Sequence, residues 1–369
     1  MSTKPRILVT SATGRTGTPT VLQLLEKGFP VRAFVRKLDH RSDALGNAGA
    51  EIFCGNQYSI TDMRAAMVGV KRAFQCAPAA PNLLLFNVTF TVAAYEAELE
   101  HVVSIGQWLA SADHPSVGTR AVYLSDILIQ IPSGMTSTNI NVGWFADNYL
   151  RALDSAAHLG VFSMPLGDGN VKKNAAPSNE DIASVAVGAL IDPITHAGKT
   201  YRPSGPELLS PNEIAAAMGR ALGRNVKYRD IPEKMMFKAV KAAPPPDFSE
   251  TALTQVKQYA AEYRHGAFAV NGLTRDVEIV GGRTPEDFES IARRYIAKRP
   301  DDFKPSFVAK MKAIAGVVKI LTTRAPDMSL IEKQKDLAKL NSPTYCLDNT
   351  EWCDTHEPKD LKLVKGQVA

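Results

Sequence analysis

Apolar positions in the first part of the chain repeat with two periods. Short runs rich in Ile, Val and Phe occupy residues 6–10, 31–35, 51–54, 72–75 and 101–104. Between them lie longer stretches, at 18–27, 42–47, 60–67 and 84–99, whose apolar positions recur at helical spacing. This alternation predicts βαβ units around a parallel sheet. Right-handed crossovers then put the carboxyl ends of all the strands on one rim.

From Met135 the pattern is mixed. A strand is expected at 136–141, a helix at 144–153, and a turn at Gly167-Asp168-Gly169-Asn170. A second helix, 179–190, starts at Ser178 or Asn179 with Glu180 and Asp181 in its first turn, where acids favour the positive helix end. A strand at 200–203 and a helix at 211–222 follow, the helix opened by Pro211 and stopped by Gly223. Beyond the rigid Pro244-Pro245-Pro246 break come helices at 253–263 and from Arg283 to near Lys298, then Lys-rich helical segments at 307–321 and 329–340 and a polar tail.

The first strand runs through Thr10-Ser11-Ala12-Thr13-Gly14-Arg15-Thr16-Gly17 into a helix. A glycine turn in that context binds the pyrophosphate of a dinucleotide. Gly14 lets the backbone approach the pyrophosphate, Gly17 lets the helix pack closely on the sheet, and the N–H groups at the helix start form an anion site. Thr10, Ala12, Thr13, Arg15 and Thr16 complete the expected contacts. Ser11 stands where most such turns have their first glycine, and serine is expected there only if the backbone keeps a negative φ. The plainer alternative is a strand, turn and helix whose glycines serve geometry alone.

The second strand ends Val35-Arg36-Lys37. An acid at this strand end would hold a ribose 2′-hydroxyl, whereas a guanidinium pairs with a 2′-phosphate. The nearest acid, Asp39, falls in the loop. NADP(H) is therefore expected in preference to NAD(H), with Arg36 and Lys37 at the phosphate; a solvated cationic loop is the alternative.

Composition narrows the partners. The 43 basic and 38 acidic residues are mixed along the chain and leave a formal charge of only +5, and no basic stretch is interleaved with aromatics, which argues against nucleic acid. The first apolar run, Ile7-Leu8-Val9, is too short for a signal segment or a membrane span, so a cytoplasmic protein without membrane contact is expected. Cys54 and Cys76 are expected to be buried free thiols. Cys346, Cys353 and His356, with Asp354 or Glu357, could donate metal ligands, but their spacing fits no common zinc pattern. No metal is expected, and the tail reads as polar with two exposed thiols, or as a segment that packs on a second subunit of a homo-oligomer.

Taken together these segments resemble the NmrA-like branch of the atypical short-chain dehydrogenases, over about residues 6 to 300. The resemblance is carried by Val9-Thr10-Ser11-Ala12-Thr13-Gly14-Arg15-Thr16-Gly17, by Val31-Arg32-Ala33-Phe34-Val35-Arg36 and by Asn141-Val142-Gly143-Trp144-Phe145-Ala146-Asp147-Asn148-Tyr149-Leu150. The last is similar to the family's Gly-Phe-Phe-x-Asp-Asn segment, and residues 182–189 and 283–295 also look like family segments. The branch includes quinone and azo reductases, isoflavone-type reductases and NADP-sensing regulators. By this resemblance Gly55-Asn56 corresponds to a Gly-Asp pair beside the adenine, Ala77-Pro78 to the turn after the fourth strand, and Ser104-Ile105-Gly106 to the turn after the fifth. Asn141, Val142 and Gly143 would lie close to the nicotinamide end, with Trp144 and Phe145 as candidate walls of a substrate pocket.

The fold implied is α/β: a Rossmann-type doubly wound parallel sheet over residues 1–155, a smaller α/β substrate-binding portion at 156–300 and a helical C-terminal extension at 301–369. The chemistry is less determined. Short-chain dehydrogenases commonly carry Tyr-x-x-x-Lys on a helix, the tyrosine donating a proton and the lysine lowering its pKa. Tyr123-Leu124-Ser125-Asp126-Ile127 has the tyrosine and lacks the lysine. Some family members place a lysine just after the fifth strand, where this chain offers Gln107, which cannot act as an acid. Tyr123 is thus the candidate catalytic residue, with Gln107, Arg120, Trp144 and Phe145 as candidate substrate contacts. His114-Pro115-Ser116 with Arg120 reads either as a polar contact to a ligand or as an ordinary loop, and Trp144, Phe145 and Tyr149 read equally as core residues. No Ser-His-Asp arrangement points to a hydrolase. Two functions follow: an NADPH-dependent reductase of a small aromatic or conjugated electrophile such as a quinone, azo compound or enone, or a regulator that senses NADP(H) and acts through protein contact.

Overall fold

The computed structural model describes residues 4–77, 82–244, 250–335 and 338–356. Its strands are β1 (Ile7–Val9), β2 (Val31–Val35), β3 (Glu51–Cys54), β4 (Arg72–Gln75), β5 (His101–Gln107), β6 (Thr136–Val142), β7 (Val161–Met164), β8 (Thr200–Tyr201) and β9 (Lys227–Asp230). Seven of them form one sheet in the order β3-β2-β1-β4-β5-β6-β8, with every neighbouring pair parallel. The order reverses between β1 and β4, which opens the crevice where doubly wound sheets bind nucleotides. The other two strands, β7 and β9, pair with each other.

Side chains leave a strand alternately to its two faces. Ile7 and Val9 of β1 therefore join Val21, Leu24, Ile182 and Val185 from helices Gly17–Glu26 and Asn179–Ile191. Leu8 points the other way, toward Phe34, Met63, Phe86 and Phe90. With both faces covered, the strands need apolar side chains on both, which is why they read as runs and not as alternations. A third core lies beyond the sheet around Trp144, Tyr149, Phe162, Tyr263, Phe268 and Phe288. After residue 155 the chain returns to the main sheet twice, through helix Asn179–Ile191 and through β8.

Several expectations need correction. β5 extends to Gln107 and pairs with β6 throughout, so Ser104-Ile105-Gly106 lies inside a strand and not in the turn after it. Residues 117–128 form a helix, Val117–Leu128, that the pattern did not predict, because Leu124 and Ile127 are exposed while Thr119 and Ser125 are buried. The single helix expected at 144–153 is two, Ala146–Leu150 and Leu153–Leu159. β7, β9 and helix Glu233–Ala242 were also unforeseen. Cys54 is exposed on edge strand β3, and Cys76 is half-buried.

The tail is the largest surprise. Cys346 and Trp352 are buried in the third core of their own chain, so the segment is neither a solvated tail nor, along this stretch, free to pack on a second subunit. Four hydrogen bonds seat it. Thr344 N donates to Asp113 O at 2.9 Å, the Tyr345 hydroxyl to Gln258 Oε1 at 2.9 Å, Cys346 N to Glu262 Oε1 at 2.7 Å, and Trp352 Nε1 to Trp108 O at 3.0 Å. Burying a tryptophan with its N–H satisfied contributes several kcal/mol.

Candidate functional site

The glycine turn sits at the switch point, between β1 and helix Gly17–Glu26. A Cβ on Gly14 would lie 2.9 Å from the Ser11 carbonyl oxygen, and one on Gly17 would overlap that same oxygen. Both positions are thus closed to side chains by the turn itself. Gly14 N donates to Ser11 O at 2.8 Å, and the Thr18 hydroxyl to Ala12 O at 3.1 Å. Thr16, the residue before the helix, makes no side-chain cap, and the first turn holds no acid. Thr18 N and Thr20 N are taken by Gly14 O and Thr16 O and Pro19 carries no N–H, so what the helix start offers an anion is its positive dipole end and the Gly17 N–H.

Ser11 departs from expectation. Its φ is +49°, in the left-handed region, where an L side chain costs about 1–2 kcal/mol. The hydroxyl offsets part of this by donating to the Cys76 carbonyl at 2.8 Å, and it lies 3.4 Å from Gln57 Oε1. Thr10 ties the same two strands, accepting from Cys76 N at 2.9 Å through its hydroxyl. Burial raises the Cys76 thiol to about 11, against a hydrogen bond with Thr16 that lowers it.

Other expected contacts ring this turn. Arg36 and Lys37 are exposed just past β2, and Asn56 is exposed after β3, where its side chain accepts from Tyr58 N and its backbone N–H donates to Asp62. Ala77 is half-buried after β4, and Pro78 lies outside the described residues. Ser104 is buried inside β5 with its hydroxyl on Asn139 Oδ1 at 2.6 Å, three residues short of the rim. Arg15 reaches across the crevice to the buried carboxylate of Asp147, 3.1 Å away, beyond the end of β6.

At the carboxyl ends of β5 and β6 two side-chain oxygens face Gly106. A Cβ there would overlap Asn141 Oδ1 and stand 3.0 Å from Asp126 Oδ2. Asn141 Oδ1 and the neighbouring Gln107 Oε1 are buried acceptors without a hydrogen-bond partner, a costly arrangement that a donor would relieve. Burial alone raises the Asp126 carboxyl to about 7. Its helix is fixed by a buried polar chain in which Gln75 Nε2 donates to Asn87 Oδ1 at 2.9 Å and Asn87 Nδ2 to Ser125 Oγ at 2.5 Å. Tyr123 is half-buried three residues earlier on the same helix.

Next to Asn141 opens a cleft of about 530 Å³ lined by Trp108, Asn141, Tyr201, Arg202, Asp276 and His356, among others. The Arg202 guanidinium lies 3.6 Å over the Trp108 ring and donates to the carbonyls of Phe268, Val270 and Asn271. Burial lowers it to about 9, so it keeps its charge at neutral pH. His356 stacks on Trp352 and meets Trp108 edge-on. Burial lowers its imidazole to about 4, leaving it neutral.

Three expected substrate contacts lie elsewhere. Trp144 is buried among Tyr149, Tyr259, Tyr263 and Phe268 and is a core residue, while Phe145 packs half-buried against the sheet core. Arg120 donates to His114 O at 2.7 Å and Ala338 O at 2.5 Å, tying its helix to the extension. Cys346, Cys353 and His356 do not converge. Cys346 instead meets His114 and Glu262 in a buried group. There Ser116 N–H donates to His114 Nδ1 at 2.9 Å, which puts the ring proton on Nε2, 3.2 Å from Glu262 Oε1. The group is a hydrogen-bond chain that also holds Cys346 N, with Glu262 Oε2 buried and without a partner.

Residues 3–281 match the NmrA-like family. The chain belongs to the NmrA-like family. It is 30% identical over 292 residues to an NAD(P)H azoreductase of Xenophilus azovorans, covering 79% of this chain and 98% of that one. It is 25% identical over 251 residues to quinone oxidoreductase 2 of Escherichia coli, covering 65% and 83%. Among solved structures, the NADPH-dependent quinone oxidoreductase of Escherichia coli complexed with NADPH superposes with a TM-score of 0.66 at 21% identity, covering 79% of this chain and 99% of that one. The negative transcriptional regulator NmrA in complex with NADP gives 0.67 at 17% identity, covering 83% and 100%. These two likenesses speak for the fold.

Within this NmrA-like frame, four residues escaped the sequence reading. Gln57 is buried beside Ser11, Asp147 pairs with Arg15, Asp126 faces Gly106, and Arg202 floors the cleft. Asp126 carried a signal, since it falls one helical turn after Tyr123, but that helix was unrecognised. Arg202 carried none, because its role depends on a strand of two residues.

Proposed function

We propose that this NmrA-like chain is an NADP(H)-dependent reductase that transfers hydride to a small aromatic or conjugated electrophile. The observation that carries the reading is the joining of two half-sites along one rim. A turn whose glycines are closed to side chains lies with a helix start at the switch point, and a polar cleft lies at the ends of β5, β6 and β8, with the Asp126 carboxyl beside Gly106 and Asn141. The azoreductase and quinone oxidoreductase relatives support the same chemistry.

The residues suit the cofactor. Gly14 and Gly17 leave room for a pyrophosphate, Arg36 and Lys37 stand at the end of the second strand where a 2′-phosphate would be met, and the orphan oxygen of Asn141, in the lining of the cleft, suits a carboxamide donor. NADPH, when bound, would supply a hydride, which carries both electrons of the reduction. Asp126 then gives the proton that the reduced oxygen or nitrogen takes up, and recovers one from water through its half-exposed side. Trp108 and His356 contribute aromatic edges to the cleft wall, and Arg202 adds a positive charge in its lining.

The test is to mix purified protein with NADPH and quinones, azo dyes or enones, and follow the absorbance of the reduced cofactor. Oxidation with at least one class is expected. Tight NADP(H) binding with no oxidation of any would reject the reductase and leave a nucleotide sensor.

A further inference from the structure

Helix Phe307–Thr322 has sixteen residues and none is buried. It rests on helices Leu153–Leu159 and Glu233–Ala242. Its half-buried residues, Ala309, Ala313 and Ile320, fall on one line along it, at spacings of four and seven. Another line, Phe307, Met311, Ile314, Val318 and Leu321, is spaced by fours and threes and is open to solvent. Phe307 is 79% exposed, Val318 53% and Leu321 55%. At 100° per residue these five span an arc of about 80°, centred roughly 140° from the line that meets the protein. An apolar stripe this continuous on a surface marks a contact.

The charges say with what. By the same rotation Lys310 lies about 60° from the centre of the stripe on one side, Lys319 and Lys312 lie about 120° and 140° from it on the other, and among the described residues none of the three is ion-paired with an acid. Between Phe303 and Asp327 stand five cations, Lys304, Lys310, Lys312, Lys319 and Arg324, and no acid. Two copies meeting stripe to stripe would bring lysines together without a counter-charge. Anionic headgroups supply that charge, and lysine stems can lie along the stripe with their ammonium groups in the phosphate layer. The helix is about 24 Å long, and no helix here is long and apolar enough to cross a membrane, so it would lie flat. It also lies beyond residue 281, where the family match ends.

We propose that helix Phe307–Thr322 docks the protein on the surface of an anionic lipid bilayer, its apolar stripe among the acyl chains and its lysines on headgroup phosphates. This replaces the expectation of no membrane contact drawn from the lack of a spanning segment, and it stands whether or not the reductase reading does. The full chain, sedimented with vesicles of phosphatidylcholine alone or mixed with phosphatidylglycerol, should partition at least tenfold more onto the mixed vesicles at low salt and less as salt rises. Met311→Glu with Val318→Glu should abolish binding. Lys310→Glu, Lys312→Glu and Lys319→Glu should each weaken it roughly fivefold. All five positions are exposed, so melting temperature and circular dichroism should not change. Failure to sediment with either vesicle, or equal binding to both, would overturn the proposal. So would a dimer in analytical ultracentrifugation that Met311→Glu with Val318→Glu turns into monomer, which would make the stripe an interface between copies.

Discussion

Replacing Asp126 by Asn keeps the shape of the side chain and removes its acid. With the carboxyl held at about 7 by burial, the acid form dominates below neutrality. The proton-dependent rate should therefore be flat below about pH 6 and fall tenfold per pH unit well above 7. Loss of a positioned acid costs about 10²–10⁴ in rate, so kcat of Asp126→Asn on an enone or azo dye should fall by about 100-fold or more and lose that pH dependence. A quinone, whose reduced oxygens need less help, should lose far less. Stability gives an independent reading of the same group. A carboxyl near 3.8 in the unfolded chain and about 7 in the fold keeps its proton longer when folded, so folding is favoured at low pH. Stability then falls as pH rises from 4 to 7. At about 1.4 kcal/mol per pH unit the limit is ~4 kcal/mol. Solvent at the half-buried carboxyl screens this to about 2 kcal/mol. Asp126→Asn should thus be the more stable protein at pH 8, and by less at pH 5, in urea unfolding. Wild-type kcat and an unchanged pH profile in the variant, on every substrate the wild type reduces, would refute the assignment.

The other predictions concern the turn, the cofactor and the tail. Ser11→Ala keeps the left-handed backbone and loses the bond to Cys76, so it should cost about 1 kcal/mol in thermal unfolding, whereas Ser11→Gly relieves the backbone and should come within a few tenths of wild type. Arg36→Ala should raise the dissociation constant for NADPH by about ten- to a hundredfold and leave that for NADH nearly unchanged in titration calorimetry; equal weakening of both would reject the 2′-phosphate contact. Trp352→Ala removes a buried side chain from the third core and should lower stability by about 3–5 kcal/mol, with a raised KM because His356 loses its stacking partner.

What the sequence disclosed depended on range. Strands β1 to β4 were legible because each is a short local run of β-forming residues, and helix Pro211–Leu222 because Pro211 in its first turn and the closing Gly223 are local chemistry. Helix Val117–Leu128 was hidden because a helix that turns Leu124 and Ile127 outward and Thr119 and Ser125 inward reverses the usual pattern. Ser11 could not be read as left-handed, since its compensation comes from a carbonyl 65 positions away. The tail failed for the same reason at greater distance. Trp352 looks polar in context, and only Trp108, 244 positions earlier, makes it core.

That closure has a consequence for how far kinship can be carried. The nucleotide end of the rim is built from residues inside the family match, but one wall of the cleft, Thr355 and His356, comes from a segment some seventy positions past its end. Resemblance to relatives therefore transfers knowledge unevenly across one site. It informs more on which cofactor fits than on which substrate does, because Thr355 and His356 of the cleft wall lie outside the matched residues.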